Sequence, residues 1–245
     1  MPFRIRDARR SDVEAMAAIE VQSFHASPYH RVLFPGHLRI RPGLQDQLDW
    51  YGKRAANAFG QRRTRYIVAV AEEGEPEKDA TVVAFAEWVA PALDAVAGPP
   101  SKPAAKTVVP ACIDLEAAAR CDSEIAELMQ RAMPLFGTTS LDHMWSESPN
   151  SKPLNSIAVA EPYRSKGIGR MLTRWGIDAA DAGQHGIWLV SAPSGRSMYA
   201  SLGFRELAAG SRAGEGQYVM LREHSPRRSL RETAIDTHHA PSDTR

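Results

Sequence analysis

Seven consecutive residues, Arg164, Ser165, Lys166, Gly167, Ile168, Gly169 and Arg170, combine three cations with two glycines immediately after a β-branched run. That combination binds anions. The run at 154–160 reads as a strand through Ile157, Ala158 and Val159. Pro162 has no N–H to give a ladder, so the chain must leave the sheet there. A helix is expected to begin near Gly169. The backbone N–H groups of a first helical turn have no partner inside the helix, and the helix dipole places positive charge at the same point. A phosphate is therefore stabilised there. Gly167 and Gly169 allow close approach to the backbone, while Arg164, Lys166 and Arg170 supply charge that suits phosphate oxygens. The spacing is not that of a P-loop, because no Gly-Lys-Ser/Thr follows. It also lacks the third glycine and the downstream acidic residue of a dinucleotide-binding turn.

A second segment lies downstream. An apolar run at 186–191 is followed by Gly195-Arg-Ser-Met-Tyr-Ala-Ser-Leu-Gly-Phe204, whose Tyr199-x-x-x-Gly203-Phe204 ending reads as a helix, a glycine stop and the start of another strand. Together, Arg164-x-x-Gly167-x-Gly169 and this ending resemble the GCN5-related N-acetyltransferase (GNAT) superfamily, over about residues 3–222. The resemblance implies acetyl-CoA as co-substrate, with its pyrophosphate on the Arg164 to Arg170 loop. It implies that the backbone N–H groups of the splayed 157–159 strand hold the thioester carbonyl as an oxyanion hole. It also implies that Tyr199 faces the sulfur as the acid for the departing thiolate. The chain departs from the pattern at Ala192 and Pro193, where many members carry an asparagine seven residues before the tyrosine.

Acyl transfer needs a base as well, since amines are mostly protonated at neutral pH and a thiol has a pKa of about 8.5 by comparison with cysteine. Glu87 stands in an otherwise apolar strand and is the candidate: desolvation would raise its pKa and suit it to proton abstraction. The other reading of Glu87 is an edge-facing charge that keeps the sheet soluble. Glu161 flanks the loop and points to solvent. Cys112 and Cys121 have no adjacent histidine or helix start to lower their pKa, so direct attack in a ternary complex is expected rather than an acyl-cysteine. His238 and His239, in a tail without cysteine or acidic clusters, read as solvated residues, and no metal is expected.

The elements that must position these groups alternate as in an α/β fold. Residues 3–9 alternate with period two and read as a first strand. A helix is expected over 11–24 with Ser11 as N-cap and Glu14 closing a capping box, and another over 43–59 with Leu44, Leu48, Tyr51 and Ala55 on one stripe. The runs at 65–71 and 81–89 read as an antiparallel hairpin. From 90 to 151 the chain carries an insertion: an Ala/Pro/Lys-rich loop to about 110, then an amphipathic helix over 122–133, read either as core or as a lid over the acceptor. Strands at 204–208 and 217–222, joined by a Gly-rich 209–216 connection, complete the domain. The 223–245 tail is expected to be disordered.

Composition narrows the function. The 245 residues carry 30 basic and 29 acidic side chains, so there is no polycationic footprint and no nucleic-acid partner is expected. No apolar run approaches the roughly eighteen residues of a membrane span, and residues 1–20 hold no signal-peptide core. Two cysteines make no disulfide framework, which points to the cytoplasm, or the nucleus. The expected architecture is a GNAT-like α/β fold, with a mixed, mostly antiparallel sheet flanked by helices and an inserted loop and helix before the cofactor strand. The expected activity is N-acetylation of a primary amine, on a small molecule or on a protein, by a monomer or homodimer. An aromatic cleft of Trp88, Trp145 and Trp188 would suit a partly apolar amine. The alternative is a non-catalytic acetyl-CoA sensor. An ATP-binding reading lacks a magnesium carboxylate.

Overall fold

The computed structural model describes residues 2–59, 61–71, 81–92, 108–137, 140–146 and 157–224. In chain order its elements are β1 (Phe3–Asp7), α1 (Val13–Phe24), α2 (Pro28–Leu33), α3 (Gln45–Ala58), β2 (Thr64–Ala71), β3 (Thr81–Val89), α4 (Leu115–Ala132), β4 (Trp145–Ser146), β5 (Ile157–Val159), α5 (Ile168–Ala182), β6 (Ile187–Ser191), α6 (Pro193–Ala200), β7 (Arg205–Arg212) and β8 (Glu215–Arg222). The turn at 72–80, most of the Ala/Pro/Lys stretch, residues 154–156 of the expected strand and the tail from 225, with His238 and His239, lie outside the described residues.

Eight strands form one sheet in the order β1-β2-β3-β4-β6-β8-β7, with β5 pairing only β3. The β4–β6 pair is parallel and the other pairs are antiparallel, so the sheet is mixed and mostly antiparallel as expected. Strand β3 is the pivot. Its Ala84, Phe85 and Ala86 pair with β5, and three residues further on Val89 pairs with Ser146 of β4. The sheet therefore parts between β5 and β6.

Period-two alternation decides what each face buries. On one face, Ile168, Leu172, Ile177 and Ala180 of α5 pack on Ile67, Ala69, Ala84, Ala86 and Trp88, together with Ile187, Leu189 and Met220. On the other, Met16 and Ile19 of α1 and Ala55 of α3 cover Tyr66, Val68, Val70, Phe85 and Ala158. The same face continues over β6–β8–β7 beneath α4, where Ile125, Leu128 and Ala132 meet Val219 and Leu221. The inserted helix is thus a wall of the core; the lid reading of it is set aside.

Three local readings are corrected. The expected Ser11 cap is not used, because a short 3-10 turn precedes α1 and Asp12 ties it down: its Oδ2 accepts from the Arg9 N–H at 2.6 Å and from Arg6 Nη1 at 2.7 Å. The helix expected over 122–133 begins seven residues earlier, since Asp114 Oδ1 accepts from the Ala117 N–H at 2.9 Å and caps an alanine-rich first turn. The 209–216 connection is mostly strand: β7 runs to Arg212 and turns at Ala213 and Gly214, with φ of 50° and 79°. Positive φ at both central residues gives the hairpin a twist that matches its strands.

Candidate functional site

The loop that opens α5 has the backbone of an anion seat. Ser165 and Gly167 both adopt positive φ, 61° and 81°, the left-handed backbone that alternates with right-handed residues in anion-binding nests. A side chain at Gly167 would meet no atom within 4 Å, so the approach to the backbone is open. Met171 N–H is bonded to Gly167 C=O, which places the start of the helical ladder there, beyond the first-turn amides of Ile168, Gly169 and Arg170. Arg164, Ser165 and Lys166 are exposed.

The three cations are not equivalent. Arg164 turns its Nε back to Val159 C=O at 3.1 Å and pins the loop to the end of β5. Lys166 lies 5.2 Å from the centre of the Tyr163 ring. Arg170 donates to Ser201 Oγ at 2.7 Å, joining the start of α5 to the end of α6. These residues and donors fit a diphosphate: open amides, a glycine that leaves room, and positive charge held in place.

Strand β5 lies directly upstream. One edge pairs with β3 and, among the described residues, the other pairs with no strand. Ile157 and Val159 pack against the core cluster that also contains Ile168 and Tyr199. Tyr199 is buried on α6. Its ring meets Phe204 edge-on at 5.5 Å and lies so close to Gly195 that a Cβ there would come within 2.9 Å of it. The anion loop, the side chains of Ile157 and Val159, and Tyr199 therefore lie on the α5 side of the sheet, where Arg170 and Gly169 at the start of α5 meet Ser201 and Met198 of the α6 segment.

Glu87 lies on the opposite face. In the register it stands across from Tyr66, one residue past the last β3–β5 pair, at the parting of the sheet. It is 3% exposed on an interior strand, which overturns the reading of an edge charge. Its Oε2 accepts from Arg54 Nη1 of α3 at 3.3 Å. Arg54 Nη2 in turn reaches both oxygens of Glu20 on α1, at 3.0 and 3.1 Å. Burial, only partly offset by Arg54 and reinforced by Glu87, pushes the Glu20 carboxyl up to about 7 from an ordinary 4.5.

Glu20 and Arg54 were missed in the sequence. The signal was present, since Glu20 falls one helical turn after Met16 and Arg54 one turn after Tyr51, so each charge interrupts an apolar stripe. Beside them, Tyr51 Oη bonds His30 Nε2 at 2.7 Å, and Ser27 Oγ bonds His30 Nδ1 at 2.9 Å. Burial, then Arg212 and Arg54, lowers the His30 pKa to about 3, so the ring is neutral. Arg212 of β7 sits 3.1 Å above the Tyr29 ring and joins α2 to the far hairpin.

The expected tryptophan cleft is not there. Trp88 is wholly buried against α5, Trp145 is buried with its ring edge-on to Trp175, and Trp188 packs on Phe136 under α4. Among the described residues no cluster of three or more His, Cys, Asp or Glu is placed to hold a metal, and no helix is long and apolar enough to cross a membrane.

The raised Glu20 carboxyl has a measurable sign. In the folded chain it keeps its proton to higher pH than in the unfolded chain. Between pH 4.5 and 7 the folded state therefore binds more protons, and stability falls as pH rises. Urea denaturation of Glu20→Gln across this window is expected to lose a slope of roughly 1 kcal/mol per pH unit relative to the parent chain. Equal slopes in the two proteins would refute the shift.

Residues 134–206, which include β5, the anion loop and Tyr199, match the family model described as acetyltransferase (GNAT) domain. The crystal structure of a histone acetyltransferase HPA2 and related acetyltransferase from Corynebacterium glutamicum is 18% identical with a TM-score of 0.56, covering 94% of this chain and 100% of that one. The PaiA N-acetyltransferase of Thermoplasma acidophilum in complex with coenzyme A is 12% identical with a TM-score of 0.50, covering 91% of this chain and 100% of its own. No curated protein sequence matches the chain. The matched segment, 134–206, holds the loop and the Tyr199 helix that carry the resemblance, and the mixed sheet flanked by helices is the fold of GNAT acetyltransferase structures.

Proposed function

We propose that this GNAT-fold chain is an acetyl-CoA-dependent N-acetyltransferase, in one domain spanning 3–222, that moves an acetyl group to a primary amine by direct attack in a ternary complex. The observation that carries the reading is the open positive-φ loop at the start of α5, beside the unpaired edge of β5. Acetyl-CoA, as co-substrate, supplies the activated acyl thioester. Ile157, Ala158 and Val159 would offer backbone N–H groups to the carbonyl. Ser165, Lys166, Gly167, Ile168, Gly169 and Arg170 would hold the diphosphate, with Arg164 fixing the loop to the strand.

Two faces of the sheet divide the proton work. Glu87, facing α1 and α3, would take the proton from the acceptor ammonium, directly or through a water. The free amine attacks the carbonyl, the C–N bond forms, and the C–S bond breaks as the oxyanion collapses. Tyr199, on the α5 side, would donate to the leaving thiolate, which otherwise departs poorly, and would be reprotonated as the nitrogen of the new amide gives up its second proton. A small-molecule amine is the preferred acceptor, and a protein amine is the second class.

Thiol release from acetyl-CoA over a panel of primary amines tests the reading, and no release with any amine despite tight acetyl-CoA binding would move the chain to the sensor class. Tyr199→Phe should lower kcat about 100-fold, the span of one general acid, with acetyl-CoA affinity unchanged. Unaltered turnover in that variant would remove Tyr199 from the chemistry.

A further inference from the structure

Two buried carboxylates share one guanidinium between α1, α3 and β3, and the sharing is uneven. Arg54 Nη2 grips both oxygens of Glu20, while Nη1 makes a single, longer contact of 3.3 Å with Glu87. Arg54 could otherwise offer a two-pronged grip to Glu87 and quench it, because paired N–H donors stabilise a carboxylate strongly. Glu20, 2% exposed, stands in the way. With both carboxylates ionised the group carries one negative charge in excess, which is costly in a buried site unless a proton or a cationic ligand balances it.

We infer that Glu20 is a positioning residue for Glu87, holding Arg54 off it so that Glu87 stays a competent acceptor of the proton brought by an ammonium substrate. This rests on the reading of Glu87 as the base. The groups that face Glu20 are Arg54 and Tyr51 from α3, Glu87 from β3 and Tyr66 from β2. Burial, then Glu20, holds the Tyr51 phenol well above its ordinary range, and burial, then Glu87, does the same for Tyr66, so both stay protonated and neither competes as a base. His30, behind Tyr51, is neutral as well. Glu87, at the parting of the sheet, has one contact with Arg54 and lies beside the Tyr66 phenol.

The charge balance then favours an acceptor that arrives as a cation. Its N–H⁺ proton passes to Glu87, the neutral nitrogen forms the amide bond, and the sulfur departs as thiol. One proton remains on the carboxylate pair and leaves to solvent before the next turnover.

The test uses the full chain and the isosteric Glu20→Gln. With the fork of Arg54 released toward Glu87, the acid limb of kcat/KM for a primary amine should move down by about one pH unit. The plateau should fall about tenfold, with acetyl-CoA affinity unchanged, and Glu20→Asp should restore much of both. An unmoved acid limb overturns the inference, even if the variant melts lower, because a purely structural role moves stability and not the limb. A second arm needs no turnover: carboxyl-carbon NMR titration of glutamate-labelled protein, with Glu87→Gln assigning the signal. Should the parent chain acetylate no amine, the proposed function fails while this arm still decides. A Glu87 signal that titrates at lower pH in Glu20→Gln than in the parent supports the positioning role, and an unmoved signal refutes it.

Discussion

Gly167→Asp is expected to lower acetyl-CoA affinity at least about 100-fold while the chain remains folded, the equivalent of two pyrophosphate hydrogen bonds to charged groups. The fold tolerates the change because a Cβ at this position meets nothing within 4 Å. The backbone there holds φ at 81°, which costs a non-glycine residue on the order of 1–2 kcal/mol, and aspartate is among the residues that bear it best. What fails is the seat itself. An aspartate at a helix start accepts hydrogen bonds from the first-turn amides, so the new carboxylate becomes an internal anion occupying the donors that the diphosphate needs. Gly167→Ala separates the two effects: it carries the backbone strain without the charge and should lose far less affinity. Titration calorimetry with acetyl-CoA reads both. Equal affinity in the aspartate variant would mean that the donor does not sit on this loop.

That loop was legible in the sequence because its information is local. Glycines at 167 and 169, cations around them and a proline that ends the strand are all set by neighbours within ten residues. The α1 and α3 helices and the β2–β3 hairpin follow from periodicity for the same reason, whereas α6 and the mixed, mostly antiparallel sheet were implied by the GNAT resemblance. What was not legible depends on partners far along the chain. Glu20, Arg54 and Glu87 meet because α1, α3 and β3 converge, and no spacing of theirs announces it. The edge-charge reading of Glu87 fell only once the strand order placed β3 in the interior of the sheet.

Residues whose type suits two environments were misread. Trp88 and Trp145 could have lined a cleft but fill the core, because β3 and β4 direct them at α5. Gly210 and Gly216 suggested a loop, yet they lie within paired strands, and the turn needed only Ala213 and Gly214. At the start of α4 the cap is Asp114, and the helix is extended through alanines that show no apolar stripe. Propensity and capping, rather than periodicity, would have found that end.

Gly176→Ala is expected to lower the melting temperature by about 10 °C, from an overpacking cost of about 3 kcal/mol or more. By helix propensity the change should help, since glycine inside a helix costs up to about 1 kcal/mol relative to alanine. Packing overrides propensity here. A Cβ on Gly176 would fall 2.2 to 2.5 Å from three ring atoms of Trp88, and Trp88 is 0% exposed, so the ring has nowhere to go. The helix must then lift from β3. Because α5 begins at the anion loop and Trp88 adjoins Glu87, lifting it disturbs the proposed cofactor seat and the proposed base together, and acetyl-CoA affinity should fall along with stability. Shrinking the partner is the discriminating step. Trp88→Leu alone opens a cavity and destabilises, yet combined with Gly176→Ala it gives the new methyl room, so the double variant should be more stable than the sum of the single losses predicts. Additive losses would show that the close approach of indole to helix backbone does not set the seating of α5, and would leave glycine at 176 without a packing reason.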